Sequence, residues 1–301
     1  AQADTGCRRD RSSRLRCLNR SSGTWYTRLM WHQTPDCRLY YESTGSGRQS
    51  MVLLHGTTGR SDSFRSIVPA LSIDYRLFIP DLRGHGRSSH VTGNYRVVDF
   101  GRDICHLLET LCQLPVILLG HSLGGLVAIA VAAKRPELVS ALILEDAPLW
   151  LRRFTVKNGS SSAYGFFRSL HKLLMTTREE SRLRERLPLV APDAVAREGS
   201  SLAARLSQID PDVLRMSYDS SLMAQFDIDR SLTRVQCPTL LLQADQQQHS
   251  TLQDEDVHAA LKNLTHGTHR VVTGAGHHIH ADNPEQTVDL IQDWLKTRVS
   301  L

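Results

Sequence analysis

The chain has 301 residues, 41% of them hydrophobic and 22% charged, which is enough apolar material for one large domain carrying an insertion. Its formal charge of +5 sits at the start: residues 1–20 hold six arginines against two aspartates, leaving about +1 elsewhere and no basic stripe of the kind that binds nucleic acid. No run approaches the roughly 18–20 apolar residues of a membrane span, and the start lacks the apolar segment of a secretory signal.

In chain order, residues 1–24 read as a basic, disordered tail. The six cysteines, Cys7, Cys17, Cys37, Cys105, Cys112 and Cys237, show no C-x-x-C spacing. That argues against zinc or thiol-redox chemistry and suits reduced thiols in a cytoplasmic protein, with Cys7 and Cys17 pairing only in an oxidising compartment. "LYYES" (39–43) predicts an antiparallel strand. Then "MVLLHG" (51–56), "RLFIPDLRGHG" (76–86), "VILLGHS" (116–122), "ALILEDAP" (141–148), "TLLLQAD" (239–245) and "HRVVTGAGH" (269–277) each read as an apolar strand ending in a polar or glycine-rich loop. Residues 97–112, 124–134 and 285–298 have helical periodicity between them. The alternation predicts an α/β fold whose mostly parallel sheet is flanked by helices, with the ligand crevice at the strand ends.

From about Leu149 to Arg234 the strand pattern stops, and helical segments broken by Pro188, Pro192 and Pro211 predict an insertion that roofs the crevice. "NGSSSA" (158–163) reads as a loop or hinge. The predicted division is therefore a tail (1–24), a core (25–147 and 236–301) and a helical cap (148–235).

Chemistry concentrates at "GHSLGG". A helix that begins directly after a buried strand points unpaired N–H groups and the positive end of its dipole at the turn. Gly120, Gly124 and Gly125 remove side chains that would clash in so sharp a corner, leaving Ser122 exposed above the strand ends. A serine hydroxyl needs a base to act as a nucleophile, and "GAGHHIHADNP" offers His277 at the end of the last strand. Its neighbours His278 and His280 suit loop or capping roles. A metal site built from them with Asp282 lacks a second group at ligand spacing, so no metal is expected.

Taken together, "LLHGTTG", "PDLRGHGRSS", "GHSLGG" and "GAGHHIHADNP", in that order, resemble the α/β-hydrolase fold family over about residues 37–301 apart from the cap. The resemblance implies a cap inserted after the family's sixth strand and a triad in the chain order Ser122, acid, His277. The serine separates the chain from the dehalogenase and epoxide hydrolase branches, which use aspartate there. For the acid the resemblance leaves two strand ends open. Asp146 after the sixth strand is preferred, Asp245 after the seventh is the alternative, and Glu145 is a lesser candidate. The family's oxyanion hole maps onto the backbone N–H groups of Thr57, with a hydroxyl role for Thr57 or Thr58 left open, and of Leu123. His55 is expected to be structural, as are Asp81, Arg83 and His85.

The expected activity is that of a serine esterase with no cofactor, acting through an acyl-enzyme on a small or medium carboxylic ester or lactone. Trp150, Phe154, Phe166, Phe167, Leu170, Leu174, Leu222, Met223 and Phe226 are candidates to line its pocket. Two alternatives stand beside it: a carbon-carbon bond hydrolase of the same fold, and a ligand-binding receptor retaining a slow triad. The expected partner is a small ester-like molecule, not nucleic acid, and the oligomeric state is open.

Overall fold

The computed structural model describes residues 14–20, 23–150, 162–248 and 250–298. Its strands are β1 (Arg14–Arg20), β2 (Gly23–Gln33), β3 (Arg38–Thr44), β4 (Ser50–Leu54), β5 (Arg76–Pro80), β6 (Val116–His121), β7 (Val139–Glu145), β8 (Thr239–Ala244) and β9 (Gly267–Val272). They join in one sheet in the order β1-β2-β3-β5-β4-β6-β7-β8-β9. From β5 to β9 every neighbouring pair is parallel, whereas β1, β2 and β3 run antiparallel to their neighbours. The antiparallel strand expected at 39–43 is thus β3.

Helices cover both faces of the sheet because consecutive residues of the central strands are apolar, so that both faces are. Met51 and Leu53 of β4, Ile117 and Leu119 of β6 and Leu240 and Leu242 of β8 point to one side. There they pack on α1 (Val68–Asp74) and α12 (Pro284–Arg298), through residues such as Leu71, Ile291 and Leu295. Val52, Leu54, Leu118 and Leu142 point to the other side, onto α2 (Val97–Leu111) and α3 (Leu123–Lys134). The α3 sequence, LGGLVAIAVAAK, is apolar nearly all round, and the helix is accordingly buried.

Between β7 and β8 the described chain runs through α4 (Ser162–Thr176), α5 (Glu180–Val190), α6 (Pro192–Glu198), α7 (Ser200–Leu206), α8 (Pro211–Tyr218) and α9 (Ile228–Leu232). Pro192 and Pro211 open α6 and α8, where the missing N–H costs nothing, while Pro188 lies inside α5. Two further helices, α10 (Asp254–Asn263) and α11 (Ile279–Asp282), flank β9.

One expectation needs correction. Within the stretch read as a disordered tail, 1–24, β1 pairs along its whole length with β2, Arg14 opposite Leu29 and Arg20 opposite Gly23. Its R-L-R-C start already alternates charged with apolar residues, and pairing with a long neighbour satisfies the backbone donors and acceptors that face β2, so local charge does not decide the matter. Residues 1–13 and 21–22, Phe154 and residues 158–161 of the loop expected at 158–163 lie outside the described residues, and the last two positions of that loop begin α4.

Candidate active site

Ser122 sits between β6 and α3 at φ 52° and ψ −117°, a backbone region that costs a non-glycine residue of order 1–3 kcal/mol. The corner closes because its flanks carry no side chains. A Cβ on Gly120 would collide with the Gly124 carbonyl, and one on Gly124 with the Leu54 carbonyl at the end of β4. The Ser122 N–H is anchored to the Glu145 carbonyl at 3.0 Å, tying the corner to the end of β7. Leu123 is the first residue of α3, so its N–H has no acceptor within the helix.

The "HGTTG" loop lies against this corner. A Cβ on Gly56 would stand 3.1 Å from Ser122 Cβ and 2.9 Å from His121 Nδ1. The loop is braced from beneath by two buried histidines. His55 accepts from the Leu82 N–H at 3.0 Å, and His85 Nε2 donates to the Thr57 carbonyl at 2.8 Å. Burial pushes both imidazoles below their ordinary range. Asp81 accepts the N–H groups of Ser61 and Arg87, and Arg83 forms a two-pronged pair with Asp103. The "DLRGHG" side chains therefore brace loops.

His277 and Asp146 meet directly. His277 Nδ1 donates to Asp146 Oδ2 at 2.7 Å, leaving Nε2 on the far side of the ring, and the imidazole is one-quarter exposed. Asp146 is wholly buried and occupies a positive φ of 41° just past β7. Burial alone would raise its carboxyl, but the hydrogen bond and charge of His277, with donors from Ser250 and Thr251, hold it well below the usual carboxylate range. Ser250 Oγ donates at 2.6 Å, and Thr251 at 2.8 Å from its N–H and 2.9 Å from its hydroxyl.

Those two residues escaped the sequence reading, although they occupy the loop after β8 where the alternative acid was sought. Asp245 itself is turned away, accepting the N–H groups of Gly274 and Gln247 at 2.9 Å each. Glu145 reaches a different histidine, His280, at 2.7 Å. Asp282 accepts the Gly276 N–H at 2.8 Å. Among the described residues no group of three or more histidine, cysteine or acidic side chains is placed to hold a metal ion.

The apolar residues expected to line a pocket divide. Trp150, Leu170, Leu174 and Leu222 are buried in the main core, with Phe166, Phe167 and Met223 packed on it. Phe226 is packed on it too, and also lines a cavity of about 640 Å³ with Arg96, Lys134 and Arg230, beside the far half of α3 from Ser122. Among the described residues no helix is long and apolar enough to cross a membrane.

A strained serine corner after a central parallel strand, with a histidine-acid pair on later strand ends, defines a class of protein that comparison makes explicit. The description of the α/β hydrolase fold matches residues 49–284, and the chain belongs to that family. Several of its relatives are named as hydrolases or esterases. Pyrrolizixenacetamide deacetylase of Xenorhabdus hominickii is 25% identical over 266 residues, covering 86% of this chain and 95% of that one. Pimeloyl-[acyl-carrier protein] methyl ester esterase of Edwardsiella ictaluri is 40% identical over 107 residues, 35% of this chain and 39% of that one. In fold, an esterase (EaEST) from Exiguobacterium antarcticum superimposes with a TM-score of 0.70 at 22% identity, over 88% of this chain and 98% of that one.

Proposed function

We propose that this α/β hydrolase is a serine esterase that cleaves a small or medium carboxylic ester or lactone through an acyl-enzyme. The observation that carries the reading is the 2.7 Å contact between His277 Nδ1 and buried Asp146, on a loop that also touches the residue preceding Ser122: His121 Nε2 lies 2.9 Å from the His277 carbonyl.

With Nδ1–H donated to Asp146, the His277 proton is fixed on that nitrogen and Nε2 is free to accept one. His277 takes the proton of Ser122, whose oxygen attacks the carbonyl carbon, and the developing oxyanion is met by the N–H groups of Leu123 and Thr57. The imidazolium then protonates the leaving alcohol. Water, deprotonated by the same histidine, attacks the acyl-serine and releases the carboxylic acid, regenerating the hydroxyl. Asp146 remains ionised throughout, consistent with a carboxyl held below its ordinary range. The segment 148–235, whose described part carries α4 to α9, would act as the cap over the crevice, and no step requires a cofactor.

The names of the deacetylase and the methyl ester esterase support acyl transfer to water without specifying this chain's acyl group. The test is fluorophosphonate labelling with peptide mapping, alongside hydrolysis of a p-nitrophenyl ester series. Labelling confined to Ser122, with both label and turnover lost in Ser122→Ala, is the expected result. Ester turnover that survives Ser122→Ala would overturn it. Tight binding of an ester without turnover in the wild type would favour the receptor alternative.

A further inference from the structure

Three buried side chains that the proposed chemistry leaves unused converge on the loop carrying His277. Glu145 ends β7 and Asp146 follows it, and the two carboxylates reach different histidines three residues apart. Glu145 Oε1 accepts from the His280 backbone N–H at 2.9 Å and from its Nδ1 at 2.7 Å, and both side chains are shielded from solvent. The His280 carbonyl in turn accepts from Ser66 Oγ at 2.5 Å. The third is His121, whose ring centroid lies 4.7 Å from that of His277, 4.9 Å from His278 and 5.2 Å from His280. A carbonyl oxygen can only accept, so the bond to the His277 carbonyl places the His121 proton on Nε2.

We propose that His121, Glu145 and His280 are positioning residues, which lock the backbone of residues 277–280 so that the His277 imidazole stands in register with Ser122. This rests on the esterase reading above. Asp146 grips His277 only at the ring, and a ring held at one nitrogen can still swing if its backbone moves. His121 is bonded covalently to Ser122, so its hydrogen bond to the His277 carbonyl joins the nucleophile segment to the base segment without passing through the reacting atoms. Its imidazole is pushed down to about 3 by burial, so the strut is neutral and does not oppose an imidazolium forming next to it.

The arrangement has a cost that packing alone would not retain. Glu145 Oε2 is buried and has no hydrogen-bond partner among the described residues. A buried carboxylate with an unsatisfied oxygen is unfavourable, and an apolar pair of similar volume would serve stability at least as well. What such a pair cannot supply is the directional grip on the His280 N–H.

The experiment compares wild type, His121→Leu, His121→Gln and Glu145→Gln, by hydrolysis of p-nitrophenyl acetate, by the rate of fluorophosphonate labelling at Ser122, and by Tm. His121→Leu should lower kcat by roughly ten- to a hundredfold with KM within about twofold, and slow labelling by a similar factor. His121→Gln, whose amide can donate to the same carbonyl, should recover to within about fivefold of wild type. Glu145→Gln keeps an oxygen facing the His280 N–H and should stay within about tenfold in kcat, a result that stands even if His121→Leu does not fold. The proposal fails if His121→Leu matches wild type in kcat and labelling, if the Gln variant loses as much as the Leu variant, or if the loss lies in KM alone. It also fails if Glu145→Gln, still folded, is as inactive as Ser122→Ala. A wild type that neither labels nor turns over would sink the esterase reading and this proposal with it, a result distinct from an active wild type with unaffected variants.

Discussion

Asp146 and His277, 131 residues apart in the chain, meet at 2.7 Å, and the aspartate is held there by hydroxyls and an N–H from a third segment, Ser250 and Thr251. Three strand ends thus cooperate: β7 presents the acid, β8 supplies the donors that keep it ionised, and the loop after β9 carries the imidazole.

Replacing the acid should separate it from its rival. Asp146→Asn keeps the shape but can offer an N–H to His277 Nδ1, turning the ring into the wrong tautomer, so kcat on an aryl ester should fall by roughly 10³–10⁴. Asp245→Asn, altering a carboxylate that only accepts turn N–H groups, should leave kcat within about twofold. Steady-state kinetics on both folded variants decides the matter, and a larger loss in the Asp245 variant would reverse the assignment.

The same carboxylate makes a pH prediction for stability. Because the folded protein holds the Asp146 carboxyl below its unfolded value, the stabilisation it contributes is complete above the ordinary carboxylate range, about pH 4–5, and is lost as pH falls through the depressed folded value. Wild type should therefore exceed Asp146→Asn in Tm at neutral pH, with the gap narrowing as pH drops below about 4. Thermal melts from pH 3 to 8 test this. A gap that widens toward acid would mean the carboxyl is raised in the folded state.

The sharp corner at Ser122 and the place of His277 were legible in the sequence because both are short covalent patterns: glycines flanking Ser122, and His277 in a loop after the last apolar run. The acid was open between two strand ends because its choice depends on direction. Whether Asp146 or Asp245 faces His277 is settled by donors 104 and 105 residues away, which no local spacing reveals. The β1 hairpin was missed for a related reason, since pairing with β2 outweighs the charge of its arginines. Residues such as Leu170 and Leu222 could equally have lined a pocket, because core-facing and crevice-facing positions of a helical segment share one apolar period. Both pack in the core.

Close approach at the elbow makes a paired prediction for glycines. Gly124→Ala would drive a methyl group into the Leu54 carbonyl, a backbone atom that cannot step aside, so it should destabilise the fold by about 2–3 kcal/mol and reduce activity by displacing Ser122. Gly165, within α4, faces open space, and Gly165→Ala should raise stability by roughly 0.5–1 kcal/mol through helix propensity. Urea denaturation of the two variants reads both signs in one experiment.

Finally, the "DLRGHG" segment offers a test of structural against chemical roles. Arg83 is almost wholly buried and donates from Nε and Nη2 to Asp103 at 2.6 and 2.7 Å, while Cys37 and Thr34 also reach that carboxylate. Removing only the cation leaves Asp103 charged, buried and without its main partner, so Arg83→Met should cost about 3–5 kcal/mol. Adding Asp103→Leu removes the stranded charge and should restore a large part of that loss, because the desolvation of an unpaired carboxylate is the larger penalty. Denaturant midpoints of the single and double variants give the coupling, and kcat per folded molecule should stay close to wild type in the double variant. A double variant that regained stability but not turnover would move Arg83 from the scaffold into the chemistry.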